Sequence, residues 1–147
     1  MTVKEFVRIY TPHANRVAVK YGVPSLVTLA QAAWESGWGK SAPQFNFFGM
    51  TAGSGYNGKT QTLTTYEYKN GVRVKVERKF RAYDNPTIAF ADYANNLANQ
   101  GNYDAAFRWK HRPEKFFEEV FNGGYATDPN YYKNVLLVMN MIKKYVV

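Results

Sequence analysis

Between Thr60 and Phe80 the chain follows a period of two, and the pattern pivots on Asn70-Gly71. A period of two belongs to a strand and excludes a helix over this stretch. Asn-Gly suits the two central positions of a type I′ turn, where both residues take positive φ. The segment therefore predicts a β-hairpin, with Lys69 opposite Val72 and Glu67 opposite Val74. A lone two-stranded hairpin is marginal in water, so it needs a body to stand on. On both sides the apolar period returns to that of a helix. Leu26, Val27, Leu29, Ala30, Ala33 and Trp34 precede the hairpin, and Ile88, Phe90, Ala91, Tyr93, Ala94 and Leu97 follow it. The expectation is an α+β fold, mainly helical, with one β-hairpin inserted about halfway along a single domain spanning residues 1–147.

Breakers and caps divide the helical part. The first 21 residues read as helical, with Pro12 opening a second short helix and Gly22 ending it. Pro24 opens the next helix, which stops near Gly37. Residues 41–58 read as loop. A helix from Pro113 to Phe121 is followed by the loop Asn122-Gly123-Gly124. Asp128 caps a last helix, turning Tyr132, Val135, Leu136, Met139 and Ile142 inward.

Composition narrows the chemistry. The chain has no cysteine and two histidines, His13 and His111. Thiolate and histidine-based metal centres are thus unsupported, and so are Ser-His-Asp and Cys-His hydrolysis; no metal or cofactor is expected. Acid–base chemistry would fall to the eleven Asp and Glu residues. The net charge of +8 favours an anionic partner, and Lys40, Lys59, Lys69, Arg73, Lys75, Arg78, Lys79 and Arg81 gather around the hairpin. No nucleic-acid-binding module is recognisable. No apolar run reaches the roughly 20 residues of a membrane span, and the N-terminus lacks a signal peptide's apolar region. The expected contexts are a phage-type protein released without a signal, a domain cut from a longer exported protein, or a cytoplasmic protein. The chain is read as a monomer.

Among the carboxylates, Glu35 has the most unusual surroundings. It lies in Ala33-Trp34-Glu35-Ser36-Gly37-Trp38, at the C-terminal end of its helix. Apolar neighbours disfavour its charged form, as does the negative end of the helix dipole. A carboxyl kept protonated near neutral pH is what a glycosidase general acid requires. Glycoside hydrolysis usually recruits a second carboxylate. The hairpin register separates its two candidates: alternation puts Glu67 with Leu63, Val72, Val74 and Val76, and Glu77 with Arg73, Lys75 and Lys79. Glu77 reads as a solvated charge, whereas Glu67 is a charge on an apolar face, either functional or near solvent at the hairpin edge.

The run Pro24-Ser25-Leu26…Ala30-Gln31-Ala32…Glu35-Ser36-Gly37-Trp38-Gly39-Lys40-Ser41 resembles the signature of the glucosaminidase family, glycoside hydrolase family 73. The similarity continues through Asn46-Phe47-Phe48-Gly49, Phe80-Arg81-Ala82-Tyr83 and Gly124-Tyr125-Ala126-Thr127-Asp128-Pro129-Asn130-Tyr131. The resemblance implies a lysozyme-like fold and cleavage of peptidoglycan glycan strands between N-acetylglucosamine and N-acetylmuramic acid, outside the cytoplasm. It implies Glu35 as the catalytic acid, Glu67 as the second acid and Tyr125 as a contact to the substrate's N-acetyl group. Trp38, Phe47, Phe48 and Tyr83 are candidate sugar-stacking surfaces, each equally a candidate for the core. Muramidase and lytic transglycosylase activities remain open on the same acid, as does a non-catalytic wall-binding protein.

Overall fold

The computed structural model describes residues 1–146. Helix α1 covers Val3–Tyr21; Thr2 Oγ1 caps it by accepting from the Glu5 N–H at 3.1 Å, and Gly22 ends it at φ 79°. Pro12 does not start a new helix, contrary to the sequence expectation. An interior proline removes one backbone bond, at about 3 kcal/mol. Here Phe6, Tyr10, Ala14 and Val17 stay buried at unbroken helical spacing across it, while the Pro12 ring faces solvent. Packing on both sides holds the helix together.

Helix α2, Ser25–Ser36, is the central element, packed against α1 and the last two helices. Every residue from Val27 to Ala33 is buried, Ser25 and Leu26 are half-buried, and the last turn opens outward at Trp34. Trp34, expected inward, is 42% exposed there.

The hairpin consists of β1, Thr60–Lys69, and β2, Val72–Arg81, in the expected antiparallel register, Lys69 facing Val72. Asn70 at φ 53° and Gly71 at φ 78° form the expected turn. Its root is fastened by buried Asn46. The Asn46 amide donates to the carbonyls of Met50, at 3.0 Å, and Arg81, at 2.9 Å, and its Oδ1 accepts from the Met50 N–H at 3.0 Å. Gln61 adds a bond from Nε2 to the Pro43 carbonyl at 2.7 Å.

Asn85 caps α3, Pro86–Asn99, through Oδ1 and the Ile88 N–H at 2.9 Å. Ile88 itself is exposed, so the inward face of α3 is Ala89, Phe90, Tyr93, Ala94 and Leu97. A 3-10 segment, Gly101–Trp109, leads to α4, Pro113–Asn122. Asp128 caps α5, Pro129–Lys143, as expected, accepting from the Asn130 N–H at 2.9 Å. Helix α5 buries Val135, Val138, Met139 and Ile142, while Tyr132 and Leu136 are half-buried. No helix among the described residues is long and apolar enough to cross a membrane.

Candidate active site

The sequence Glu35-Ser36-Gly37-Trp38-Gly39 terminates α2 in a tight turn. Gly37 and Trp38 both take left-handed conformations, at φ 58° and 60°. That conformation is costly for a tryptophan. Packing and hydrogen bonds hold it: the Trp38 ring meets Phe6 edge-on, with centroids 5.4 Å apart, and the Trp38 backbone N–H donates to the Ala33 carbonyl at 2.8 Å. Buried Ser36 donates to the Ala32 carbonyl at 2.6 Å and accepts from the Gly39 N–H at 2.8 Å. The residue ahead of it, Glu35, is thereby fixed at the mouth of the helix.

Glu35 Oε2 accepts two hydrogen bonds, from the Tyr125 and Tyr131 hydroxyls, each at 3.1 Å. Tyr125 lies in the loop after α4, and Tyr131 in the first turn of α5. Behind them, Gln31 Nε2 donates to the Tyr131 hydroxyl at 3.0 Å, and Gln31 Oε1 accepts from the buried Tyr93 hydroxyl. Burial pushes the Glu35 carboxyl up to about 7, against the two tyrosine bonds, which favour the carboxylate. Desolvation wins because two neutral donors replace only part of the lost water. Burial also pushes the Tyr125 and Tyr131 phenols upward, so both remain protonated donors at neutral pH. This is a carboxyl that can release a proton near pH 7 into surroundings that already hold the resulting anion.

The expected elevation is present, but the tryptophans do not lie where the sequence suggested. Trp34 faces solvent and Trp38 packs on Phe6; tyrosines from distant segments surround the acid instead. Tyr125 joins Glu35 to a cleft of about 400 Å³, lined also by Met50, Arg81, Tyr93, Asn96 and Tyr103.

The other aromatic candidates divide. Phe47 is 1% exposed and lies between Tyr10 and Phe90, with centroids 5.1 and 5.2 Å away. It has no face to offer a sugar and belongs to the core. Tyr83 is 5% exposed and donates to Asp92 at 2.5 Å; Arg81 reaches the same carboxylate at 2.8 Å. It fastens the end of β2 to α3 and is likewise no stacking platform. Phe48 is half-buried with one face stacked on Tyr93, centroids 4.2 Å apart. Trp38 is half-buried at the α2 turn.

Glu67 falls on the half-buried side of the hairpin with Gln61, Leu63, Val74 and Val76, while Glu77 and Lys75 are exposed. That side is less apolar than expected, because alternation along β2 continues past Val76 to Arg78. Arg78 forms an ion pair with Glu67, which is how the charge is accommodated. Glu67 lies seven residues from the root of β1, roughly 23 Å along the strand at ~3.3 Å per residue. The fold thus brings Glu35 and Tyr125 together and sets Glu67 near the hairpin tip. Among the described residues no group of three or more His, Cys, Asp or Glu is arranged to hold a metal ion.

Two site residues escaped the sequence reading, Tyr131 and Gln31. The signals were present. Gln31 is, with Thr28, one of two polar residues inside the otherwise apolar run Val27–Ala33, and it alone of the two lies one helical turn before Glu35 and on its face. Tyr131 is fixed in the first turn of α5 by the Asp128 cap.

The glucosaminidase profile, described as mannosyl-glycoprotein endo-beta-N-acetylglucosaminidase, matches residues 11–144. The chain belongs to the glucosaminidase family. A peptidoglycan hydrolase FlgJ of Pseudomonas aeruginosa is 34% identical, over 96% of this chain and 37% of its own length. The FlgJ of Salmonella typhimurium is 35% identical, over 95% of this chain and 46% of its own. The chain thus spans less than half the length of these curated relatives. The glycoside hydrolase domain of Salmonella typhimurium FlgJ, C-terminally truncated, superposes with a TM-score of 0.86 at 35% identity, covering 97% of this chain and 99% of that one. The lysozyme-like helical body with its inserted hairpin is therefore the glucosaminidase fold.

Proposed function

We propose that this chain is a peptidoglycan hydrolase, an endo-β-N-acetylglucosaminidase acting on the glycan strands of the bacterial cell wall, outside the cytoplasm and as a monomer. The observation that carries the proposal is Glu35: a carboxyl kept protonated near pH 7 by burial, with Tyr125 and Tyr131 poised on one oxygen. Glu35 gives its proton to the glycosidic oxygen as the bond from C1 breaks, and the bonding pair leaves with that oxygen. The carboxylate that remains is stabilised by the two hydroxyls. Tyr125 contributes its hydroxyl to Glu35 and its ring to the cleft, which is where it meets the sugar.

Glu67 is the second carboxylate in this reading, activating the water that attacks C1. Its place near the hairpin tip requires the hairpin to fold toward the cleft when substrate binds. The exposed side of the hairpin supports an anionic substrate, with Arg73, Lys75 and Lys79 against one acid, Glu77. Relatives named as peptidoglycan hydrolases support the wall as substrate. Mass spectrometry of fragments from purified peptidoglycan tests the proposal. New reducing N-acetylglucosamine ends are expected. Reducing muramic acid ends would make the enzyme a muramidase, and anhydromuramic ends a transglycosylase; intact strands would leave only wall binding.

A further inference from the structure

The hydrogen bonds behind Glu35 have a single consistent direction. Tyr93 is fully buried and donates to Gln31 Oε1. The Gln31 amide then presents Nε2 to Tyr131, at 3.0 Å. A hydroxyl that accepts from Gln31 keeps its own hydrogen for Glu35, at 3.1 Å. Rotating the Gln31 amide by half a turn would make Nε2 donate to Tyr93 and Oε1 accept from Tyr131. The buried Tyr93 hydrogen would then lose its acceptor, and Glu35 would lose a donor, so the arrangement is fixed by satisfaction of buried polar groups. Gln31 is itself 0% exposed and does not reach the cleft surface.

The consequence falls on the two oxygens of Glu35. Oε2 accepts from both tyrosines, which occupies the two lone-pair directions of a carboxyl oxygen. A proton on Oε2 would displace one of them. We infer that Gln31 is a positioning residue of the glucosaminidase site: it turns the Tyr131 hydroxyl toward Glu35 and so confines the transferable proton to Oε1. This rests on the reading of Glu35 as the general acid. The same arrangement serves both sides of the transfer, since the proton leaves from one oxygen while the other already holds two donors for the developing charge.

The groups that act on Glu35 ionisation are few. Tyr125 from the loop after α4 and Tyr131 from α5 touch it, and Tyr93 from α3 stands behind them. Neither α1 nor α4, the other helices packed on α2, contributes a charged group to its shift. A change at Gln31 is therefore read through the tyrosines.

The test is ¹³C NMR titration of the Glu35 side-chain carboxyl, assigned against Glu35→Gln, in the wild type, Gln31→Met, Gln31→Glu and Tyr131→Phe. Methionine fills the space without a donor, freeing Tyr131 to turn away. A glutamate at position 31 accepts from both tyrosines and turns the Tyr131 hydrogen from Glu35. Because the Tyr131 bond favours the carboxylate, its loss raises the Glu35 midpoint. The expected rise is about one pH unit, a tenfold change, in Gln31→Met and Tyr131→Phe, and more in Gln31→Glu. In activity, kcat should fall about threefold to tenfold with KM within about twofold. A wild-type midpoint in any folded Gln31 variant overturns the inference. Should neither Gln31 variant fold, an unshifted midpoint in Tyr131→Phe overturns it instead. A fully active Glu35→Gln would remove the general-acid reading while leaving the titrations to decide the hydrogen-bond direction.

Discussion

The Tyr131 hydroxyl donates to Glu35 Oε2 across 3.1 Å, joining the first turn of α5 to the last turn of α2. The two residues are 96 positions apart in sequence. Tyr125 meets the same oxygen at the same distance. Burial and these two donors act in opposite directions on one carboxyl, and its poise near neutral pH is the difference between them.

That poise sets the pH dependence. A general acid works only while protonated, and burial pushes the carboxyl of the proposed acid, Glu35, up to about 7. The basic limb of kcat/KM should therefore fall through pH 7, an order of magnitude per unit above it. Removing a donor that favours the carboxylate moves the limb up, so Tyr125→Phe should hold activity to higher pH than the wild type. Initial rates of wall solubilisation across pH 5–9 measure both.

Glu35 should also make the fold less stable at high pH. Its folded-state pKa lies above the usual value of 4.5, so the folded protein binds the proton more tightly than the unfolded chain. The stabilisation is complete below about pH 4.5 and is lost as pH rises through 7. Glu35→Gln should then raise the melting temperature at pH 8 and leave it nearly unchanged at pH 4.5. The ceiling on the gain is about 3 kcal/mol from the size of the shift. Thermal melts of both proteins at the two pH values check the sign.

Asn46 carries the attachment of the hairpin root with three hydrogen bonds from a buried side chain. Asn46→Ala should leave the Met50 N–H unsatisfied and take one of two donors from each carbonyl, since the Arg81 N–H still reaches Met50 and Gln61 Nε2 still reaches Arg81, destabilising the fold by roughly 2–4 kcal/mol. Urea unfolding with an unchanged slope would place the loss in the native state.

Glu67→Gln should lower turnover at least about tenfold if this carboxylate activates water. Restoration of the rate by added azide would support a base role. A near-silent variant would instead direct attention to the substrate's own acetamido oxygen as the nucleophile.

Local signals in the sequence were sufficient for the hairpin. Asn70-Gly71 selects the turn, the turn selects the register, and the register decides which side Glu67 takes. Glu35 was equally legible, because its helix ends at Gly37 whatever packs around it. The environment of Glu35 was not. Trp34 and Trp38 are its neighbours in sequence, but at the emerging end of α2 the direction of each side chain depends on what other elements cover. Tyr131 and Gln31 enter the site through contacts between helices, which no local period records. Phe47 and Tyr83 failed as sugar platforms for the same reason: an aromatic ring reads identically in sequence whether it lines a cleft or fills a core. Pro12 shows the converse, a local breaker overridden by a buried face that continues on either side of it.

The most direct measurement of the central claim is the release of reducing ends from purified peptidoglycan by the wild type and by Glu35→Gln at pH 6. Glutamine keeps the shape and can accept from both tyrosines, but it has no proton to give. The rate should fall by roughly 10²–10⁴, with the folded state intact by circular dichroism. Equal rates in the two proteins would contradict Glu35 as the general acid.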